Sequence, residues 1–183
     1  MKPLLRFDHV ALRRGGRLLF QDLSFELQAG QRLLVVGPNG TGKSSLLRLA
    51  AGLLQEERGT IERAPFAFAD DHLALDRELP LRRALRFWAK DVDEPLDALG
   101  LTHLAEVPVR LLSSGQAKRA SLARVAAWGA PLWLFDEPFN ALDSDSFDRL
   151  QSLMDDHCTA GGAVLAASHL DLARDCPRLE LRA

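Results

Sequence analysis

The sequence predicts an α/β fold in which a mixed sheet carries flanking helices. Short apolar runs, such as residues 33–36 and 132–135, are typical of strands buried on both faces of a parallel sheet. A glycine-rich loop follows the first of these runs and leads into a helical pattern. Between residues 70 and 128 the apolar positions recur at helical spacing. We therefore expect a single domain over residues 1–183, with a helical subdomain inserted at about 72–128.

The N-terminal part of the chain should form an antiparallel sheet. Apolar and polar residues alternate at 4–10 and again at 18–25, which predicts two strands joined across a glycine-containing turn at 14–17. After the first buried strand, residues 43–51 have the pattern of a helix. Gly52 suits the position just beyond its C-terminus.

The later elements complete the predicted sheet. Ile61 and residues 65–69 indicate two further short strands. A helix predicted at 144–158 separates the buried strand at 132–135 from another at 163–167. This strand–helix–strand order is what a parallel pair requires.

Composition and charge limit the classes of function. Of the residues, 47% are hydrophobic and 26% charged, and the net charge is -2 with both signs mixed along the chain, so nucleic acid is not an expected partner. Cys158 and Cys176 lack zinc-site spacing and are expected to be reduced thiols. Charges interrupt residues 1–8, so we expect no signal peptide and a cytoplasmic location. The most apolar later stretch, 125–135, is shorter than the roughly 20 residues of a membrane-spanning helix.

The glycine-rich loop fits the phosphate-binding pattern G-x-x-x-x-G-K-[ST] at every required position. Backbone N–H groups of such a loop surround the phosphates of a nucleoside triphosphate, and the following helix adds its positive end. Lys43 would hold the terminal phosphates and Ser44 the magnesium ion. A glycine turn without a ligand is the alternative, which the strand–loop–helix context disfavours. The predicted nucleotide-binding residues here are Gly37, Pro38, Asn39, Gly40, Thr41, Gly42, Lys43, Ser44 and Ser45.

Two adjacent carboxylates follow the buried strand at 132–135. Ligands gather at the C-terminal ends of parallel strands, so Asp136 and Glu137 should face the bound phosphates. Asp136 suits magnesium, directly or through water. Glu137 is placed to orient and deprotonate the attacking water. A polar turn is the alternative for an isolated Asp-Glu pair, and the phosphate loop makes it the weaker one.

A third motif, Leu-Ser-Ser-Gly-Gln at 112–116, precedes a basic helix and resembles the LSGGQ signature of the ATP-binding cassette (ABC) family. By itself, such a motif also fits a helix N-cap. The order of motifs carries the resemblance: phosphate loop, signature, Asp-Glu strand, the Asn-Ala-Leu-Asp loop at 140–143, and His169 after the next strand. This resemblance covers the whole chain and implies the ABC-type fold of the P-loop NTPases.

The resemblance implies a head-to-tail homodimer that encloses two ATP molecules, each with Mg²⁺. ATP binding would close the dimer and hydrolysis would open it. His169 resembles the residue that holds the γ-phosphate and the attacking water. Gln116 of the signature and Asp143 of the interface loop belong to the same predicted site, and a plain surface aspartate is the alternative for Asp143. Each site would combine Lys43, Ser44, Asp136, Glu137 and His169 of one protomer with Ser113, Ser114 and Gly115 of the other.

The chain departs from the family pattern at two places. Arg14 occupies the turn where the family usually stacks an aromatic residue on adenine, and the sequence has no tyrosine. Either the guanidinium stacks on the base or the base is held loosely. The glutamine expected after the strand at 65–69 is also missing, and Asp70, Asp71 or His72 occupies its loop. Asp71 is the best match and would reach magnesium through water.

Within the family, the compact length and the Asp-Glu region resemble the ATP-binding subunits of bacterial haem exporters for cytochrome c-type biogenesis. The partners implied are polytopic membrane subunits, at the cytoplasmic face of the inner membrane. Direct haem binding is not expected, because neither cysteine lies in a C-x-x-C-H motif. An ATPase of another ABC transporter, or a soluble ABC ATPase without a transport role, is the alternative.

A groove formed by residues 70–72 and 81–88 is expected to receive a helix of the membrane subunit. Arg82 and Arg83 are expected to be exposed there. The alternative is that the apolar residues at 81–88 pack the core of the helical insertion.

Overall fold

The computed structural model describes residues 2–168 and 176–181, and His169 lies outside these ranges. An antiparallel sheet contains strands β1 (Leu5–Arg14), β2 (Arg17–Leu27) and β4 (Arg58–Arg63), in the order β2-β1-β4. Gly15 and Gly16 form the β1–β2 turn with φ angles of 57° and 79°. Positive φ at both central residues is the type I′ pattern of a two-residue hairpin turn, which glycine adopts without strain. The predicted N-terminal hairpin is therefore confirmed.

The second sheet is parallel and has five strands in the order β5-β6-β7-β3-β8. Every residue of β6 and β7 is buried, as their continuous apolar sequences predict. The C-terminal ends of the five strands share one edge, where the phosphate loop follows β3. The strands are β3 (Arg32–Val36), β5 (Phe66–Ala69), β6 (Leu132–Asp136), β7 (Ala163–Ala167) and β8 (Arg178–Glu180).

Helices flank this sheet and form two hydrophobic clusters with it. Helix α1 packs with the antiparallel sheet against β6 and β7, and the helices between β5 and β6 pack on the other side. Short 3₁₀ turns at Thr102–Leu104 and Val109–Leu111 interrupt the latter group. Within the described residues, no helix combines the length and apolar character that a membrane crossing needs. The helices are α1 (Lys43–Ala50), α2 (Leu81–Leu85), α3 (Asp93–Ala98), α4 (Ser114–Trp128) and α5 (Ser144–Thr159).

The structure decides between the two interpretations of residues 81–88. Leu81 and Leu85 have no solvent exposure and lie in the core between the helices and the sheet. Trp88 is half-buried against the same core. These side chains therefore pack the helical region. The bounds of a separate helical subdomain at about 72–128 stay a prediction.

The prediction that the Arg82 charge is exposed is wrong. Its guanidinium forms ion pairs with Asp93 and with Glu106, the latter at 3.2 Å, and its side chain is 24% exposed. Arg82 therefore joins the start of α3 to the loop that precedes the second 3₁₀ turn. Arg83, by contrast, is exposed as expected.

Candidate functional site

The phosphate loop is shaped by glycine backbone and by close contact with the last strand. Gly42 caps α1 with φ 104°, and Gly37 has φ 148°. A Cβ atom on Gly37 would lie 2.4 Å from the Leu181 carbonyl oxygen just after β8. Glycine at 37 is therefore required both by its φ angle and by the space that β8 leaves. Thr41 Oγ1 donates a 2.9 Å hydrogen bond to the Pro38 carbonyl, which closes the loop on itself.

Lys43 begins α1 beneath this loop. Its side chain is 7% exposed, and its ammonium donates to the carbonyls of Gly37 at 2.7 Å and Pro38 at 3.2 Å. A buried ammonium held by neutral carbonyls is still a net positive charge at a helix N-terminus. The loop therefore offers an electropositive concavity suited to phosphate groups.

Ser44 and Asp136 meet at the edge of the sheet. The Ser44 hydroxyl donates a 3.0 Å hydrogen bond to Asp136 Oδ1. Burial raises the pKa of the Asp136 carboxyl, and the negative charges of Glu137 and Asp71 raise it further, against the effect of the Ser44 hydrogen bond. A desolvated carboxylate beside a hydroxyl oxygen fits the oxygen ligands that Mg²⁺ prefers, and the cation would offset the repulsion among these acids.

Glu137 lies beside the phosphate loop in a strained backbone conformation. Its φ angle is 49°, and its N–H donates a 2.9 Å hydrogen bond to the Ala167 carbonyl of β7. The left-handed conformation turns the chain sharply after β6 and aims the residue at the cavity. Glu137 lines a cavity of about 460 Å³ together with residues of the phosphate loop. The remaining lining residues are Arg14, Leu19, Asn39, Gly40, Gly42, Lys43, Ser44 and Ser45.

Arg14 reaches this cavity from the β1–β2 turn. Its guanidinium donates to Ser45 Oγ at 3.4 Å, and Ser45 is itself a buried residue in the first turn of α1. The structure thus brings Arg14 to the edge of the phosphate-binding region, as the sequence predicts. Whether it stacks on the base stays a prediction.

Asp71 lies near Asp136 but has its own cationic partner. Its side chain is 80% exposed, and the Lys118 ammonium lies 3.5 Å from Asp71 Oδ1. Asp70 instead accepts hydrogen bonds from the backbone and the ring of His72. Of the three candidates for this loop, Asp71 is the one whose charge acts on Asp136.

The signature residues form the N-terminus of α4. Ser113 is the N-cap, and it forms a capping box with Gln116: Gln116 N–H donates to Ser113 Oγ at 3.3 Å, and Ser113 N–H donates to Gln116 Oε1 at 2.9 Å. The N-cap interpretation and the signature interpretation are therefore compatible. Ser114 and Gly115 follow in the first turn, which presents their backbone N–H groups outward. A Cβ on Gly115 would lie 3.0 Å from the Ala141 carbonyl.

These signature residues lie away from the phosphate loop of the same chain. Ser114 lines a different cavity, which it shares with Asp71, Lys118 and Asn140. Within one chain, the structure brings together the loop, Arg14, Asp136 and Glu137, and leaves the signature apart.

Asp143 has a structural role that the sequence analysis did not assign. It caps α5 by accepting a 2.8 Å hydrogen bond from the Ser146 N–H, and that interaction holds the pKa of its carboxyl below the usual value. The spacing of an aspartate three residues before a serine at the start of a helix was the available signal. Its role in an interface stays a prediction.

Comparison with known proteins identifies the family. Residues 20–140 match the family model described as ABC transporter. The chain belongs to the ABC transporter family. The predictions of an ABC-type fold and of an ABC-type ATPase that binds ATP are confirmed.

Individual members of the ABC transporter family are also similar. The chain is 51% identical to the cytochrome c biogenesis ATP-binding export protein CcmA of Sphingopyxis alaskensis, over 94% of this chain and 93% of that protein. It is 53% identical to the CcmA protein of Novosphingobium aromaticivorans, over 90% and 87% of the two chains. A solved ATP-binding subunit of an ABC transporter shares the fold with a TM-score of 0.89 at 22% identity, covering 98% of this chain and 86% of that one. The predicted resemblance to ATP-binding proteins of cytochrome c biogenesis is confirmed.

Proposed function

We propose that this chain is the ATP-hydrolysing subunit of a membrane exporter of haem for cytochrome c-type biogenesis. One observation supports hydrolysis: four side chains lie together at one edge of the parallel sheet, namely Lys43, Ser44, Asp136 and Glu137. The high identity to CcmA proteins over nearly the whole chain supports the role in export.

The site residues have distinct roles in this proposal. Lys43 and the N–H groups of the phosphate loop bind the β- and γ-phosphates and neutralise the charge that develops between them. Ser44 and Asp136 hold Mg²⁺, which supplies positive charge to the phosphate oxygens. Asp71 supports the ion through water from the neighbouring loop. Glu137 accepts a proton from the water that attacks the γ-phosphorus.

A second copy of the chain completes the site. Because the signature lies apart from the phosphate loop in one chain, a head-to-tail dimer brings Ser113, Ser114 and Gly115 to the γ-phosphate of the partner. Backbone N–H groups at the start of a 15-residue helix suit this anion. His169, by the resemblance to the family, contacts the same phosphate and the attacking water.

Polytopic membrane subunits at the cytoplasmic face of the inner membrane are the proposed partners. The groove beside residues 70–72 remains the proposed contact with a membrane subunit, but the residues that line it differ from those expected. Leu81 and Leu85 are core residues, whereas Phe87 is 82% exposed and stacks edge-on to Trp88. Phe87 and Arg83 are both exposed on this segment, which suits contact with an amphipathic helix of a partner.

The experiment that tests hydrolysis is the substitution Glu137→Gln. Loss of the general base should lower turnover by a factor on the order of 10² or more, while ATP binding is retained. The variant should then accumulate as an ATP-bound dimer in size-exclusion chromatography with ATP and Mg²⁺. Glu94→Gln, at an exposed position in α3, is the matched control and should hydrolyse ATP like the wild type. Wild-type turnover in Glu137→Gln would exclude Glu137 as the base.

A further inference from the structure

Helix α4 directs a row of polar side chains toward the C-terminal ends of two strands. Ser114, Lys118, Ser121 and Arg124 recur three or four residues apart and so lie on one face of the helix. The Arg124 guanidinium donates a 2.5 Å hydrogen bond to the Phe68 carbonyl of β5. The Lys118 ammonium lies 3.5 Å from the backbone carbonyl oxygen of Asp136, at the end of β6. The helix that begins at the signature therefore contacts the strand that carries the magnesium-binding carboxylate.

Lys118 is nearly buried, and its surroundings are acidic. Its side chain is 10% exposed, and its ammonium lies between Asp71 and the end of β6. A buried charge needs a partner of opposite sign. The negative charges of Asp71 and Glu137 also act on Asp136. Lys118 is thus positioned to compensate the Asp71 carboxylate, which lies in the loop where the family usually has a neutral glutamine.

Two further members of the row, Ser121 and Arg124, carry buried polar atoms without a hydrogen-bond partner among the described residues. These atoms are Ser121 Oγ and Arg124 Nε. Ser121 lines, with Lys118 and Ser114, a cavity of about 280 Å³ between α4 and the loop that follows β5. Lys118 is the residue of the row that contacts both Asp71 and the end of β6.

We propose that Lys118 is a positioning residue that couples the signature to Asp136 of the same chain. When the N-terminus of α4 moves, the ammonium carries that movement to β6 and to the Asp71 loop. The inference rests on the proposed dimer, in which each signature contacts the nucleotide of the other protomer. Lys118 then links the two ATP sites, because one end of its helix contacts the partner's nucleotide and its ammonium contacts the strand of its own site.

Steady-state hydrolysis by the full chain, measured against ATP concentration, tests this coupling. Lys118→Met should lower kcat about tenfold or more while KM for ATP changes less than about threefold, because ground-state binding groups are intact. The Hill coefficient should fall toward about one. Lys118→Arg preserves the charge and the reach, so it should stay within about threefold of wild-type kcat. Lys90→Met, at an exposed position, is the matched control and should be unchanged.

A double-mutant cycle with Asp71→Asn provides the second measurement. If Lys118 compensates Asp71, then Lys118→Met should lower kcat by a smaller factor in the Asp71→Asn background than in the wild-type background, so the two effects are not additive. If Lys118→Met folds poorly, Lys118→Gln replaces it in the cycle, because it also removes the charge. Independent additive effects, or equal loss in Lys118→Arg and Lys118→Met, would overturn the proposal. Failure of Glu137→Gln to reduce hydrolysis would instead reject the proposed function itself, so the two failures are distinguishable.

Discussion

Arg14 lies where it could contact the base of a bound nucleotide. Many groups line the phosphate-binding region, whereas Arg14, hydrogen-bonded to Ser45, reaches the cavity from the turn where the family uses an aromatic ring. A guanidinium plane can stack on either purine and has no acceptor with which to read an exocyclic amine. If Arg14 stacks on the base, it would raise affinity for the base without discriminating between bases.

We expect this chain to discriminate poorly between ATP and GTP. Their affinities should differ by less than about tenfold, or roughly 1.4 kcal/mol. Competition binding with a fluorescent nucleotide measures the ratio. Arg14→Ala should weaken both nucleotides by similar factors, and Arg17→Ala, at the exposed far side of the turn, is the control. A preference for ATP above a hundredfold would mean that another residue reads adenine.

At the residue scale, motif positions were predictable and tertiary partners were not. The phosphate loop, Asp136 and Glu137 were found from spacing alone, because the chemistry requires these residue types at the end of a strand. The contact between Lys118 and Asp71 was not predictable from the sequence, since it depends on how α4 crosses the strand ends. Asp143 lies between these cases, because its capping of α5 has a local signal.

His157 joins the end of α5 to the sheet through an aromatic contact. Its ring stacks on Trp133 with centroids 3.7 Å apart, and its Nε2 lies 3.2 Å from the Pro131 carbonyl. Burial lowers the pKa of His157, so the ring stays neutral at physiological pH. A Cβ atom at Gly162 would lie 2.2 Å from His157 Nε2. The turn between α5 and β7 therefore needs glycine at this position for space.

Gly162→Ala should destabilise the protein by about 1–3 kcal/mol, because the added methyl group forces His157 away from Trp133. Thermal or urea denaturation measures the loss of unfolding free energy. In a His157→Ala background the same change should cost much less, since the clash is gone. Gly161→Ala, where a Cβ meets no atom within 4 Å, is a useful comparison: its positive φ of 92° brings backbone strain without the clash. Equal costs of Gly162→Ala in both backgrounds would contradict this explanation.

At the element scale, a strand can be predicted from the sequence when its residues are buried. β6 and β7 are buried on both faces, so their apolar runs were sufficient to predict them as strands. β8 was not predicted, because it has three residues, of which Arg178 and Glu180 are exposed. It forms because the edge of β3 offers unpaired backbone groups. A short edge strand of this kind is defined by its neighbour more than by its own side chains.

The whole molecule offers a surface suited to a partner. Phe87, Trp88 and Trp128 form a connected aromatic group, in which Phe87 and Trp128 are exposed. Arg124 lies 4.8 Å from the centre of the Trp88 ring. Because Arg124 also bonds to β5, this surface is connected to the strand ends at the nucleotide site. In the proposed transporter, nucleotide-driven closure would act through Arg124 on a partner helix bound to this surface.

We expect the chain, tagged in its own bacterium, to sediment with the inner membrane and to bring down a polytopic protein. Arg83→Glu should weaken this association while ATP binding stays intact, because Arg83 is exposed and does not line the cavity at the phosphate loop. Arg58→Glu, on the antiparallel sheet, is the control and should remain membrane-bound. Recovery of a fully active homodimer without a membrane partner would reject the transporter interpretation and favour the soluble one.

The order of strands in the parallel sheet has a consequence for how the protein is made. β3 supplies the phosphate loop early in the chain, yet its two neighbours are β7, which begins at Ala163, and β8, which begins at Arg178. A nascent chain that has left the ribosome only as far as α4 contains the whole phosphate-loop sequence with no strand to pair on either side of β3. Closing such distant pairs is slow and leaves apolar edges uncovered meanwhile. We therefore expect the chain to bind nucleotide only after β8 has been translated. The incomplete chain is the stage at which most apolar surface is exposed to chaperones.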